Sequence, residues 1–115
     1  MEKIIRVVIK EPDKPPYVRE VDGSLKSMQA IVGGYIEVVP AEIIVGAEEL
    51  PKDQFLLVIN EEGRLINLQL NFPICKNADW IMGTAFVCKG EGEEMVGLSE
   101  EEAELVMGIF DREEA

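Results

Sequence analysis

The sequence predicts a single α+β domain over residues 1–115, with a mixed or mainly antiparallel sheet of five to six strands and two helices packed on it. Three observations predict this class. A short helix and a strand follow one another within Asp22–Val39, several β-rich runs are separated by Pro, Gly and Asn, and an acidic amphipathic segment ends the chain. A length of 115 residues suits one hydrophobic core.

The first helix is expected over Ser24–Val32. Ser24 is a favourable N-cap, because its hydroxyl can accept a hydrogen bond from an amide of the first turn. Apolar residues recur at helical spacing within the segment. Gly33 suits the left-handed position that ends a helix. Tyr35–Val39 is then rich in β-branched residues and predicts a strand, which Pro40 closes.

Further strands are predicted from runs of apolar and β-branched residues. They are residues 2–10, a central strand buried on both faces; Tyr17–Val21, an edge strand; and Phe55–Asn60, a second buried strand. Glu61–Gly63 is expected to form a hairpin turn that returns the chain as a strand over Arg64–Leu70. Trp80–Cys88 is expected to be a further strand that Gly83 breaks, where a bulge would be natural. The intervening segments Asn71–Asp79 and Lys89–Glu94 are expected to be irregular and a polar turn, respectively.

The C-terminal helix is predicted over about 99–112. Ser99 and Glu102 form a capping-box pattern, and an apolar stripe follows over Leu105–Phe110. Gly108 is expected to weaken the helix by about 1 kcal/mol relative to alanine and to mark close packing on the sheet.

The net charge of −12 is unevenly distributed. Residues 91–115 hold ten acidic residues and one base, whereas residues 1–90 hold thirteen acids and ten bases. Such a surface repels nucleic acid, so no direct nucleic-acid binding is expected. The absence of a long apolar run predicts no membrane association and a cytoplasmic location. Cys75 and Cys88 are expected to be reduced thiols.

Four stretches resemble the family called domain of unknown function 3846. They are VREVDGSLKSMQAIVGGYIEVV, VINEEGRL, DWIMGTAFVC and LSEE. The resemblance covers essentially the whole chain and implies a setting in bacteriophages, mobile elements and their Firmicute hosts. The sequence departs from the family at Asn71–Ile74, where Phe72 and Pro73 replace the usual basic residue, so an anion-gripping loop is not implied.

The sequence contains few residues or motifs that are typical of catalytic sites. The chain has no histidine, which removes the commonest general base and metal ligand. No glycine-rich phosphate loop precedes a Lys-Ser or Lys-Thr pair, and the two cysteines lack the spacing of a zinc site. Cys88 lies in a predicted strand and is expected in the core. The sequence therefore predicts a protein without enzymatic activity, cofactor or metal.

A ligand site remains open on the predicted β-elements and at the end of the first helix. An arginine for phosphate, an aromatic ring for a base and glycines for close approach would suffice for a nucleotide. Structural roles compete with this interpretation: a helix end and turn at the paired glycines, ion pairing of Arg64 with Glu61 or Glu62, hairpin capping by Asn60 and core packing of Phe72. The candidates are Gly33, Gly34, Asn60, Arg64, Asn71, Phe72, Gly83 and Thr84.

The leading hypothesis is a small phage or mobile-element accessory protein that binds and sequesters a nucleotide signal of host defence. The alternative is an inhibitor that binds a host defence protein through its acidic surface, as DNA mimics do. A nucleotide-processing enzyme ranks third. Exposed apolar residues on the sheet leave a homo-oligomer open as well.

Overall fold

An antiparallel sheet forms the centre of the domain, which confirms the predicted fold class. The computed structural model describes residues 3–75 and 79–113. Within them the elements run in chain order as β1 (Ile4–Lys10), β2 (Tyr17–Asp22), α1 (Leu25–Val32), β3 (Ile36–Pro40), a 3-10 turn (Ala41–Ile43), β4 (Phe55–Asn60), β5 (Leu70–Pro73), β6 (Trp80–Met82), β7 (Ala85–Glu91), β8 (Glu94–Val96) and α2 (Glu100–Glu113).

The main sheet has the strand order β2-β1-β7-β4-β3, and β8 pairs with the far end of β7. Strand β7 is its centre, because it pairs with β1, β4 and β8. A second, two-stranded sheet consists of β5 and β6. The predicted edge strand is confirmed as β2, and the predicted buried strands as β1 and β4.

The two faces of the main sheet support separate cores. On one face, Phe86 and Cys88 of β7 pack with Met28 and Val32 of α1. On the other face, side chains of β7 and β4 pack with α2 and the small sheet. The ring of Phe110 on α2 meets that of Phe72 on β5 edge to face, with centroids 5.0 Å apart. The two helices therefore lie on opposite faces.

Helix α1 begins and ends where the sequence predicts. The Oγ of Ser24 accepts a hydrogen bond of 3.1 Å from the Ser27 amide. Gly33 adopts φ +81° and donates its N–H to the carbonyl of Gln29. A Cβ on Gly34 would lie 2.9 Å from Nδ2 of Asn60, so the glycine admits that side chain. Both glycines thus have structural roles at the helix end.

Helix α2 begins with the predicted capping box. The Ser99 Oγ accepts from the Glu102 amide at 3.1 Å, and Glu102 Oε1 accepts from the Ser99 amide at 2.8 Å. Val106, Ile109 and Phe110 are buried, as the apolar stripe predicts. No described helix is long and apolar enough to cross a membrane.

The predicted hairpin from β4 into a strand over Arg64–Leu70 is wrong. Residues 61–67 form successive turns instead, and Asn67 has φ +58°, which a strand does not accommodate. Strand β4 is already paired on both sides, with β3 and β7. The alternating apolar residues of this segment do not face a core: Leu65 is 84% exposed.

The break expected at Gly83 in the Trp80–Cys88 strand is confirmed, but the expected bulge is wrong, because the chain divides there into β6 and β7 in different sheets. Gly83 lies between them with φ +84°, and a Cβ there would approach Cδ1 of Leu68 to 2.6 Å. The chain therefore turns out of one sheet and into the other at a position that requires glycine.

Two segments expected to lack strands contain them. Strand β5 (Leu70–Pro73) extends three residues into the segment Asn71–Asp79 that was expected to be irregular. Residues 76–78 of that segment lie outside the described residues. The polar turn expected over Lys89–Glu94 is narrower: β7 runs to Glu91, and β8 returns from Glu94. The polar residues suggested a longer turn because β7 and β8 are solvent-exposed at the ends that adjoin it.

Gly108 does not mark close packing on the sheet, contrary to expectation, since a Cβ there would meet no atom of another element within 4 Å. Replacing it by alanine should therefore add helix propensity without a steric clash. We expect Gly108→Ala to raise the free energy of unfolding by about 0.5–1 kcal/mol and Tm by roughly 2–6 °C in thermal denaturation. An unchanged or lower Tm would contradict the open environment of this residue.

Glu102 should make stability depend on pH. Partial burial raises the pKa of its carboxyl, but the Ser99 amide and the Lys89 ammonium, 2.9 Å from Oε2, outweigh burial and hold that pKa below its usual value. A lowered folded-state pKa stabilises the protein above the unfolded-state value near 4.5, and that contribution is lost as pH falls through the folded-state pKa.

We therefore expect Glu102→Gln to lower the free energy of unfolding by about 1 kcal/mol at pH 7, and by progressively less below pH ~4.5. Urea denaturation of both proteins across pH 3–7 measures the difference. Glu101→Gln removes the same charge from an exposed neighbour and is the matched control. A deficit that stays constant down to pH 3 would show that the carboxylate is not the stabilising group.

Candidate functional site

A cleft of about 280 Å³ opens between the main sheet and the small sheet. We call it the Trp80 cleft, after the aromatic side chain on its wall. Its sides are built by β3 and the end of β4, by the turns after β4, and by β6. The bridge between Ile44 and Ile74 joins the segment after β3 to the end of β5, and Ile74 lines the cleft.

The floor of the Trp80 cleft is apolar. Strand alternation places one side of β3 and β4 on this face of the sheet, and the small sheet contributes the opposing side chains. These floor residues are partly or fully buried and adjoin the core beneath α2. They are Val39, Ile43, Ile59, Ile74 and Ile81.

The rim of the cleft is mainly acidic. Glu37 and Glu61 are exposed residues of its lining, and Asp79, which also lines it, is partly buried. Among the described residues, Arg64 is the one base lining the cleft, and its Nη1 donates to Oδ2 of Asp79 at 2.5 Å. The guanidinium neutralises one carboxylate, and two carboxylates remain to attract a cation.

Trp80 carries the aromatic surface of the site. Its backbone amide donates to Oδ1 of Asp79 at 2.8 Å, which fixes the start of β6 beside the ion pair. Trp80 is 43% exposed, and it is the only tryptophan in the sequence. An indole in this position can stack on a planar group or accept a cation on its face.

Four of the predicted site residues gather around the end of α1 and the Trp80 cleft. Asn60 is buried, donates from Nδ2 to the Val32 carbonyl at 3.1 Å, and accepts at Oδ1 from the Glu62 amide at 2.7 Å. It lines both the Trp80 cleft and a shallow hollow that Gly33 and Gly34 also line. Arg64 lies in the cleft, paired with Asp79 rather than with a glutamate of the preceding turn.

The other four predicted residues lie around the junction of the small sheet and β7. The Asn71 amide donates to the carbonyls of Lys10 and Gly83, both at 2.8 Å. Phe72 is 2% exposed in the core, so its ring is not offered to a ligand. Gly83 and Thr84 link β6 to β7. The eight predicted residues therefore do not converge on one pocket.

Sequence reasoning missed Trp80, Glu37 and Asp79. The alternation of β3 could have placed Glu37 and Val39 on one face, beside the apolar side chains of β4. The role of Trp80 had no comparable signal, because it depends on β6 leaving the main sheet at Gly83.

The thiols differ in their surroundings. Cys88 is buried in the core beneath α1, and burial raises its pKa to about 12. Cys75 is exposed at the end of the small sheet. Among the described residues, no group of three or more Cys, Asp or Glu side chains is arranged to hold a metal ion.

We expect only Cys75 of these two thiols to react readily with Ellman's reagent in the native protein. Cys88 should react only after denaturation, because its thiol is both inaccessible and protonated. Stopped-flow absorbance with and without guanidinium measures the two phases, and Cys75→Ser should remove the fast one. A fast native phase that persists in Cys75→Ser would contradict the core position of Cys88.

Comparison with known proteins identifies one family. No curated protein and no solved structure matches the sequence. The family described as Domain of unknown function (DUF3846) matches residues 5–111, which is all but four residues at each end. The chain therefore belongs to the DUF3846 family, as its DGSL, NEEG and GTAFV segments predict.

Proposed function

We propose that this protein is a non-enzymatic binding protein that holds a cationic segment of a partner protein at the Trp80 cleft. Its setting would be that of a phage or mobile-element accessory protein, with the partner drawn from host defence. The single observation that carries the proposal is the combination of an apolar floor with a rim on which, among residues 3–75 and 79–113, carboxylates outnumber the one guanidinium.

The charge of the whole chain supports a cationic partner. A net charge of −12 attracts basic proteins over roughly a Debye length and repels phosphate-rich ligands. Exposed Glu100, Glu101 and Glu104 on α2 add to that field. Lysine and arginine suit the cleft itself, since their aliphatic stems can cover the apolar floor while their charged ends reach the rim.

The size of the cleft also favours side chains of a protein partner over a nucleotide. Small-molecule sites typically measure roughly 300–1,000 Å³ and enclose most of their ligand. The Trp80 cleft, at about 280 Å³, matches one or two side chains better than a complete nucleotide.

A nucleotide signal is the second candidate ligand, because Trp80 and Arg64 line the same cleft. The indole would stack on the base and the guanidinium would bind a phosphate. The phosphate would have to displace Asp79 from Arg64 and would approach Glu37 and Glu61, which makes this candidate weaker on electrostatic grounds.

Quenching or shift of Trp80 fluorescence measures occupancy of the cleft directly. We expect an octapeptide alternating Lys with Val to bind, with an affinity that falls steeply as salt rises. Replacing both Glu37 and Glu61 by Gln should weaken binding about 2- to 30-fold, from the usual range for exposed ion pairs. Glu48→Gln with Glu93→Gln changes the net charge equally at exposed residues outside the cleft lining and should have a much smaller effect.

Arg64→Ala separates the two candidate ligands, because it makes the cleft more acidic. It should strengthen binding of the cationic peptide and abolish binding of ATP, cyclic AMP or a cyclic dinucleotide. A nucleotide that binds the original protein and is lost in Arg64→Ala would replace the peptide proposal with the second candidate. If neither class changes Trp80 fluorescence or Tm, the cleft is not a binding site for either.

A further inference from the structure

Strand β3 is an outer strand of the main sheet, and its hydrogen-bonding pattern can be assigned residue by residue. The Glu61 amide donates to the Tyr35 carbonyl at 2.9 Å. In an antiparallel ladder, bonded pairs alternate with non-bonded pairs. From the register, Glu37 and Val39 therefore exchange hydrogen bonds with β4. Ile36 and Val38 direct their N–H and C=O groups away from the sheet.

Side chains on β3 divide between the two faces of that edge. Glu37 and Val39 line the Trp80 cleft, whereas Ile36 packs toward the core beneath α1. Val38 shares the face of Ile36 and is 40% exposed. A row of outward peptide groups therefore runs directly beside the cleft, with no described strand paired to it.

We propose that an extended segment of the partner protein adds to the main sheet as a new strand along β3, with alternate basic side chains entering the Trp80 cleft. This inference rests on the proposed function and specifies how the partner is held. Backbone hydrogen bonds to Ile36 and Val38 would fix the segment, and the carboxylates of Glu37 and Glu61 would select Lys or Arg at every second position.

The other outer strand, β2, suits such a segment less well. By the same register logic, Gly23 and Lys3 form a bonded pair, so Val18 and Glu20 direct their peptide groups outward. Glu20 is already paired with Arg6, at 3.5 Å, and the hollow beside β2 is lined largely by polar and charged residues. Strand β2 therefore supplies a control edge on the same molecule.

A second copy of this chain is also a poorer occupant of β3. Pairing two β3 strands around Val38 would place Ile36 opposite Pro40 of the other copy, and proline has no N–H to donate. Two chains of net charge −12 would also repel one another.

Proline at an outward-facing position removes the edge donor without removing a bond of the sheet. We expect Val38→Pro to weaken binding of the Lys-Val octapeptide by about tenfold or more, measured by Trp80 fluorescence. Val18→Pro makes the same change at the corresponding position of β2 and should leave binding unchanged. Circular dichroism and Tm establish that each variant is folded.

Backbone methylation of the peptide tests the same contact without altering the protein. Only every second residue of an added strand bonds to β3. N-methylation of either the Val amides or the Lys amides should therefore abolish binding, while methylation of the other set should be tolerated. This measurement decides the outcome should Val38→Pro fail to fold.

The two levels of the proposal fail in different ways. Binding that requires Glu37 and Glu61 but tolerates Val38→Pro and both methylated peptides would retain the cleft and overturn strand addition. Sedimentation that shows a dimer of the free chain, lost in Val38→Pro, would assign the edge to a second copy and overturn it too. An equal loss of peptide binding in Val18→Pro and Val38→Pro would rule out β3 as the specific edge.

Discussion

Strand β7 has to bury both of its faces, and the arrangement of the domain follows from that requirement. Ala85, Phe86, Val87 and Cys88 are all fully buried, with successive side chains directed into opposite cores. A strand of this kind needs paired strands on both edges and a helix over each face. Strands β1 and β4 pair with its two edges, and α1 and α2 cover its two faces.

The Trp80 cleft also results from the requirement that β7 bury both of its faces. The chain reaches β7 from β6 through Gly83, whose positive φ turns it out of the small sheet just before the buried run begins. Strand β6 therefore lies outside the main sheet, with Ile81 packed into the core beneath α2 and Trp80 on the lining of the cleft. The apolar floor of the cleft is continuous with the core under α2. Ligand contacts in the cleft would therefore be made against a rigid base.

Local signals allowed most of the fold to be predicted from the sequence. Helix ends were accurate because the groups that cap them lie within three or four residues of one another, as Ser24 with Ser27 and Ser99 with Glu102. Strand pairing was less accurate, since it depends on residues far apart in the chain. Arg64–Leu70 alternates like a strand, but β4 already has two neighbours and cannot accept a third.

The candidate site was predicted only in part, for the same physical reason. Asn60 and Arg64 belong to a turn that the sequence marks clearly, and both line the cleft. Phe72 was a candidate to stack on a base, with core packing as the competing role, and the structure confirms the core packing by burying its ring against Phe110. Trp80 and Asp79 could be assigned only once the small sheet was placed.

Within the part of the chain that the structure describes, no strand pairs with the outer edge of β2 or of β3. Sheets with unpaired edge strands can pair edge to edge with other molecules and aggregate. Glutamates on both strands, Glu20 and Glu37, together with Pro40 at one end of β3, oppose such growth. The carboxylate charge of this chain thus also serves as colloidal protection, which weakens wherever acid or polycations neutralise it.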